Sequence, residues 1–202
     1  MNPKPPIIGI TGGIGSGKSM VCRIFGALGI PVYEADTRAK WLMNHDTLLR
    51  EQLTALLGAE AYTADGEYNR VWVASQVFGN QELLTKLNTI VHPRVWQDSA
   101  DWTQAHALAP YLLYEAALMK AAGQGNAFEK VVVVVAPVEL RIKRTLARDT
   151  QRSEAEVRAI ISRQMADEER LKIADYLIQN DDSQLVIPQV LALHEKFLLS
   201  KA

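Results

Sequence analysis

Disulfides, membrane spans and a charge excess of either sign are all missing from this chain of 202 residues. A single cysteine, Cys22, cannot close an internal disulfide, which suits a reducing compartment. No apolar stretch approaches the roughly 20 residues that a helix needs to cross a bilayer. Lys and Arg total 22 against 23 Asp and Glu, so the basic excess that marks nucleic-acid binding is absent. The opening Met1-Asn2-Pro3-Lys4-Pro5-Pro6 lacks the charged start, apolar stretch and cleavage site of a secretory signal. His45, His92, His106 and His194 are scattered, and none stands with Cys or a carboxylate at zinc spacing. No repeat or low-complexity linker interrupts the chain. These absences lead us to expect a cytoplasmic protein with no membrane and no nucleic-acid partner. The length fits one large domain, or one core with inserted subdomains.

What is there begins with Gly12-Gly13-Ile14-Gly15-Ser16-Gly17-Lys18-Ser19, which matches the phosphate-binding pattern G-x-x-x-x-G-K-[ST]. The apolar run Ile7 to Thr11 precedes it as a strand, and Met20 to Leu28 follows with helical periodicity at Val21, Ile24, Phe25 and Leu28. Strand, glycine loop and helix form the setting in which this motif is a site. The glycines let consecutive N–H groups face an anion, and the new helix adds its positive end. Lys18 can reach the β- and γ-phosphates, and the Ser19 hydroxyl can ligate Mg²⁺. A plain glycine turn would explain the glycines but neither Lys18 nor Ser19. A nucleoside triphosphate is therefore the expected ligand.

Four more apolar runs read as parallel strands: Ile30 to Glu34, Tyr111 to Glu115, the five valines Val131 to Val135, and Tyr176 to Ile178. Helical patterns alternate with them, which predicts an α/β fold with a five-stranded parallel sheet flanked by helices. The stretch 37–109 breaks the rhythm. Its leucines and valines follow helical spacing, with turn signals at Asp65-Gly66 and His92-Pro93, so it is expected to be a helical insertion. We expect a single domain over 1–202, with its core at 7–36, 110–140 and 170–202. Arg141, Arg144 and Arg148 are spaced to share one helical face. Ser153-Glu154-Ala155-Glu156 is a capping box opening a second helix. The resulting hairpin, about 141–169, reads either as a phosphate-clamping lid or as a solvated surface; its place after a core strand favours the lid. Val190, Leu193, Phe197 and Leu198 mark a packing helix with no chemistry assigned.

With these elements in place the sequence resembles the dephospho-coenzyme A kinase family across nearly its whole length. The P-loop with Ile8 to Thr11 before it, Leu28-Gly29-Ile30-Pro31-Val32-Tyr33-Glu34-Ala35-Asp36, Asp65-Gly66-Glu67-Tyr68-Asn69-Arg70 and Leu87 to Pro93 all look like family segments. So do Lys143 to Asp149, Gln164-Met165 and Ala174 to Asn180. The resemblance implies a three-layer P-loop kinase fold with a helical acceptor-binding insertion and a helical lid. The implied reaction moves the γ-phosphate of ATP, with Mg²⁺, to the ribose 3′-hydroxyl of dephospho-coenzyme A. It also implies site residues. Asp36 would be the catalytic carboxylate, with Lys18 and Arg144 neutralising charge. Gly12, Gly13, Ile14, Gly15, Ser16, Gly17, Lys18, Ser19, Met20, Arg144 and Arg148 would bind ATP. Thr11, Asp36, Arg70 and His92 would face the acceptor.

Read from the residues alone, several of these positions have a second reading. Asp36 at a strand–helix junction is a helix cap as readily as a base. Arg70 can take a coenzyme phosphate or a surface carboxylate, and His92 can touch substrate or simply end a helix before Pro93. Glu115 can support Mg²⁺ through water, or bridge to a neighbouring loop. The chain departs from the family pattern at Glu34, where aspartate is usual, and at Met20, where threonine is usual. It departs again at Ala117-Leu118-Met119-Lys120-Ala121, which lacks the proline and glutamate of Pro-Leu-Leu-Phe-Glu. A nucleoside monophosphate kinase, or another small-molecule P-loop kinase, is the nearest alternative. A switch GTPase is disfavoured by the lack of an N-K-x-D element.

Overall fold

Val131, Val132, Val133 and Val134 are all buried, as expected of a strand covered on both faces. They lie in β4 (Phe128–Val135), which pairs in parallel with β1 (Ile7–Thr11) on one side and β5 (Tyr176–Gln179) on the other. Beyond β1 come β3 (Leu112–Glu115) and β2 (Val32–Glu34), giving the order β2-β3-β1-β4-β5. The structure, a computed structural model, describes residues 4–199. Residues 1–3 of the proline-rich lead-in lie outside the described residues.

Strand alternation divides the core between the two faces of the sheet. Ile8, Ile10, Leu113, Val132, Val134 and Ile178 form one apolar cluster with α1 (Lys18–Ala27) and α9 (Val186–Leu199). Val21, Cys22 and Phe25 are the buried side of α1, and burial pushes the Cys22 thiol up to about 12. α1 stops at a glycine: Gly29 takes φ 84°, a left-handed conformation open to glycine at little cost. β4 starts earlier than the valines suggest. Phe128 already pairs with Ile7, and a bulge then skips Glu129 before Lys130 meets Ile8. Its exposed charges, Glu129 and Lys130, hide that part of the strand from an apolar-run reading.

The chain forms two compact units. The sheet unit also carries α6 (Val138–Arg148), α7 (Glu154–Arg163) and the short α8 (Asp167–Lys172). Ser153 and Glu156 make the expected capping box at the start of α7. β1 is central, with strands wound to either side of it. In open parallel sheets ligands bind beyond the carboxyl ends at that reversal, which is where the glycine loop lies.

The second unit, Ala35–Ala105, is helical. It contains α2 (Ala35–His45), α3 (Thr47–Leu57), a 3-10 turn at Ala59–Ala61, α4 (Arg70–Val77) and α5 (Gln81–Ala105). The Asp65-Gly66 turn forms as expected, with Gly66 at φ 81° and Tyr62 bridged to Tyr68. The His92-Pro93 turn does not form: α5 runs straight through Pro93. Proline removes one backbone donor there. Burial of Leu87, Val91 and Val95 and the Arg94–Asp46 ion pair hold the helix together across it. Arg38 Nε also donates to Asp98 Oδ2 at 2.9 Å, tying α2 to α5.

Candidate active site

The glycine loop is shaped by what presses on it. Gly17 takes φ 97°, and a Cβ there would lie 2.2 Å from Asn180 Nδ2, so no other residue fits without displacing Asn180. A Cβ at Gly13 would lie 2.1 Å from Arg141 Nη2. Gly17 is the N-cap of α1, and no side chain caps the helix. Its first amides are therefore left for an anion.

Lys18 Nζ lies 2.6 Å from Glu115 Oε1. Glu115 is buried at the end of β3, in register with Ile10 of β1 and Glu34 of β2. The P-loop lysine is thus paired with the third-strand carboxylate. Ser19 is exposed in the first turn of α1, and its carbonyl accepts from Arg23 Nε at 3.2 Å. Met20 is also exposed.

The helices after β4 hold one P-loop residue from both sides. The Ile14 N–H donates to Gln164 Oε1 at 2.9 Å, and its carbonyl accepts from Arg141 Nε at 3.0 Å. Arg141 Nη1 donates to both oxygens of Asp167, at 3.0 and 2.9 Å, and Arg170 Nη1 donates to the same carboxylate at 2.6 Å. Both guanidinium groups are buried, and burial draws that of Arg170 below its ordinary pKa. The three arginines expected to share one face therefore have three different settings. Arg141 is turned inward as a brace. Arg144 Nη1 donates to the Asn180 carbonyl at 2.8 Å, and its Nη2 to Asp182 Oδ1 at 2.6 Å, on the loop after β5. Arg148 is exposed and pairs with the adjacent Asp149 at 2.8 Å, which raises its pKa.

Asn180 and Gln164 are the residues whose part the sequence did not disclose. Asn180 Nδ2 donates to the Ser16 carbonyl at 2.8 Å, joining the loop to the residue that holds Arg144. Neither stands in a spacing pattern. Only their place in family-like segments drew attention to them.

Thr11, expected at the acceptor, is buried, and its hydroxyl donates to the Ala117 carbonyl at 3.3 Å. That bond anchors the divergent loop 116–127. There Met119 is buried against Gly9, where a Cβ would meet its sulfur at 2.4 Å. A flexible thioether thus fills the space over the strand without the family's proline.

In the helical unit, Asp36 is exposed in the first turn of α2, which begins one residue earlier at Ala35. Asp36 and Arg70 line one cavity of about 640 Å³, together with Asn44 and Tyr68. Asn44 Oδ1 accepts the Tyr68 N–H at 2.6 Å, and the Asn69 side chain caps α4 just ahead of Arg70. Burial raises the Tyr68 phenol, and the Arg70 charge acts against that rise. His92 is not in this cavity: it is exposed on α5, its ring 6.1 Å from that of Trp96.

A parallel sheet ordered 2-3-1-4-5, with its first strand running into a glycine loop, lysine and helix, defines the P-loop kinases. A shikimate kinase from Acinetobacter baumannii shares this fold, with TM-score 0.53 over 98% of this chain and 94% of that one at 18% identity. A crystal structure from Thermus thermophilus is nearer, with TM-score 0.81, 31% identity and 98% of each chain covered. The profile of the dephospho-CoA kinase family matches residues 6–185. A dephospho-CoA kinase of Porphyromonas gingivalis is 37% identical over 93% of this chain and 92% of that protein. The chain belongs to the dephospho-CoA kinase family and is an ATP-dependent kinase. The nucleoside monophosphate kinase reading is not favoured.

Proposed function

We propose that this kinase transfers the γ-phosphate of ATP to the ribose 3′-hydroxyl of dephospho-CoA, giving CoA and ADP, in the cytoplasm. The P-loop amides and Lys18 hold the triphosphate, and Arg144 and Arg148 add charge along it. Phosphoryl transfer asks a protein chiefly for positioning and charge neutralisation. Lys18 is paired with Glu115 at 2.6 Å, so arriving phosphates compete with that carboxylate for the lysine.

Asp36 orients the acceptor hydroxyl and accepts its proton. Two peptide bonds join it to Glu34, the last residue of β2. Arg70 faces the acceptor from the same cavity. Thr11, whose hydroxyl bonds the Ala117 carbonyl, and His92, exposed on α5, complete the acceptor-side residues of this reading.

The Ser19 hydroxyl and the Glu115 carboxylate are oxygen donors at the loop. That donor chemistry fits Mg²⁺, which favours oxygen ligands and keeps several waters. Ser19 would hold the ion directly and Glu115 through water. When bound, the ion offsets charge on the phosphate oxygens.

The observation that carries this reading is the family match spanning both the P-loop and the Asp36 segment. A coupled assay of ADP release tests it, with dephospho-CoA set against a panel of nucleoside monophosphates. Turnover on dephospho-CoA alone is expected; preference for a monophosphate would overturn it.

A further inference from the structure

The helical unit engages four of its six lysines and arginines within itself. Arg38 is paired with Asp98, Lys86 with Glu82 and Arg94 with Asp46. Arg50 donates to the carbonyls of Asn44 and Gly66 at 3.1 and 2.7 Å. Lys40 and Arg70 remain, with no carboxylate at ion-pair distance among the described residues. Both line the cavity that contains Asp36.

The placement follows from sequence. Lys40 is four residues after Asp36 on α2, so the two side chains share one helical face. Arg70 opens α4 and lines the same cavity. Val73, Val77 and Leu87 supply an apolar wall. One carboxylate, two free cations and an apolar wall suit a ligand with a hydroxyl, a dianionic group nearby and an uncharged arm.

We propose that Lys40 and Arg70 together hold the diphosphate of the acceptor, so that its ribose is presented to Asp36. The proposal rests on the dephospho-CoA reading above. The two positive charges match the two negative charges of a diphosphate diester. A guanidinium binds such oxygens in a fork, and an ammonium as a point charge. Lys40 and Arg70 are exposed, so nucleosides without the diphosphate forgo the attraction of both cations, and specificity follows from that lost binding.

Steady-state kinetics on Lys40→Met, Arg70→Met, the double variant and Lys40→Arg test the clamp, with dephospho-CoA and ATP varied separately. The KM for dephospho-CoA should rise about tenfold or more in each Met variant, since hydrogen bonds to charged groups carry effects of that order. It should rise further in the double variant and stay within about threefold of wild type in Lys40→Arg. The KM for ATP should stay within about twofold in all four, as expected when only acceptor contacts are lost. An unchanged KM for dephospho-CoA in the double variant overturns the clamp while leaving the proposed reaction intact. A parallel rise in both KM values also overturns it, marking a merely structural role. Failure of the wild-type enzyme to phosphorylate dephospho-CoA at all overturns the reaction and the clamp with it.

Discussion

Lys18 and Glu115 form a largely buried ion pair, Nζ to Oε1 2.6 Å, between the first turn of α1 and the end of β3. A phosphate that recruits Lys18 must first draw it from that carboxylate. Glu115→Gln removes the competitor and one negative charge. Nucleotide binding measured by calorimetry without Mg²⁺ should tighten by about threefold to tenfold, on the scale of about 1 kcal/mol for a partly screened pair. Weaker binding in the variant would show that Glu115 positions Lys18 for the nucleotide instead of withholding it.

Ile14 is held by Gln164 through its N–H and by Arg141 through its carbonyl. Removing the Gln164 side chain leaves a part-buried amide without its acceptor, at a cost of about 1–3 kcal/mol. Gln164→Ala should therefore lower Tm by about 2–12 °C for a chain of this size. ATP should recover part of that loss by binding the folded loop. A thermal shift assay with and without nucleotide reads both effects, and an unchanged Tm would remove Gln164 from the loop's support.

Asp46 caps α3 by accepting the Leu49 N–H at 2.9 Å, and it accepts from Arg94 Nε at 2.9 Å. Burial alone would raise its carboxyl, but the Leu49 and Arg94 donors outweigh that and hold it below the usual carboxylate value. A lowered folded pKa means that folding favours the ionised form. Its stabilisation is therefore complete above the unfolded pKa, near ~3.9, and is lost as pH falls through the lower folded value. Urea midpoints measured from neutral pH to below pH ~3 should fall less steeply for Asp46→Asn than for wild type. Equal slopes would contradict this role.

The P-loop, the five strands and the helical nature of 37–109 were legible because each rests on a local rule: glycine spacing, buried β-branched runs, 3.6-residue periodicity. What was missed depends on partners distant in sequence. Arg141 looked like one more member of an arginine stripe. Its burial follows from the Ile14 carbonyl and Asp167, which lie 127 and 26 residues away. Pro93 read as a helix stop, and only packing and the Arg94–Asp46 pair carry α5 past it. Lys40 drew no notice because a lone lysine on a helix is ordinarily solvated. It stands out only once Asp36 and Arg70 are seen to line the same cavity. Asp36 stands out by its place after a family-like strand, and the structure sets it in the first turn of α2.

The central claim is that Asp36 serves the acceptor hydroxyl while the P-loop holds ATP independently of it. Turnover of Asp36→Asn on dephospho-CoA, measured alongside its dissociation constant for ATP, tests this most directly. The account predicts a fall in kcat of about 10²–10⁴, the range for loss of a positioned base, with ATP affinity within a few-fold of wild type. A variant that turns over at the wild-type rate would contradict it.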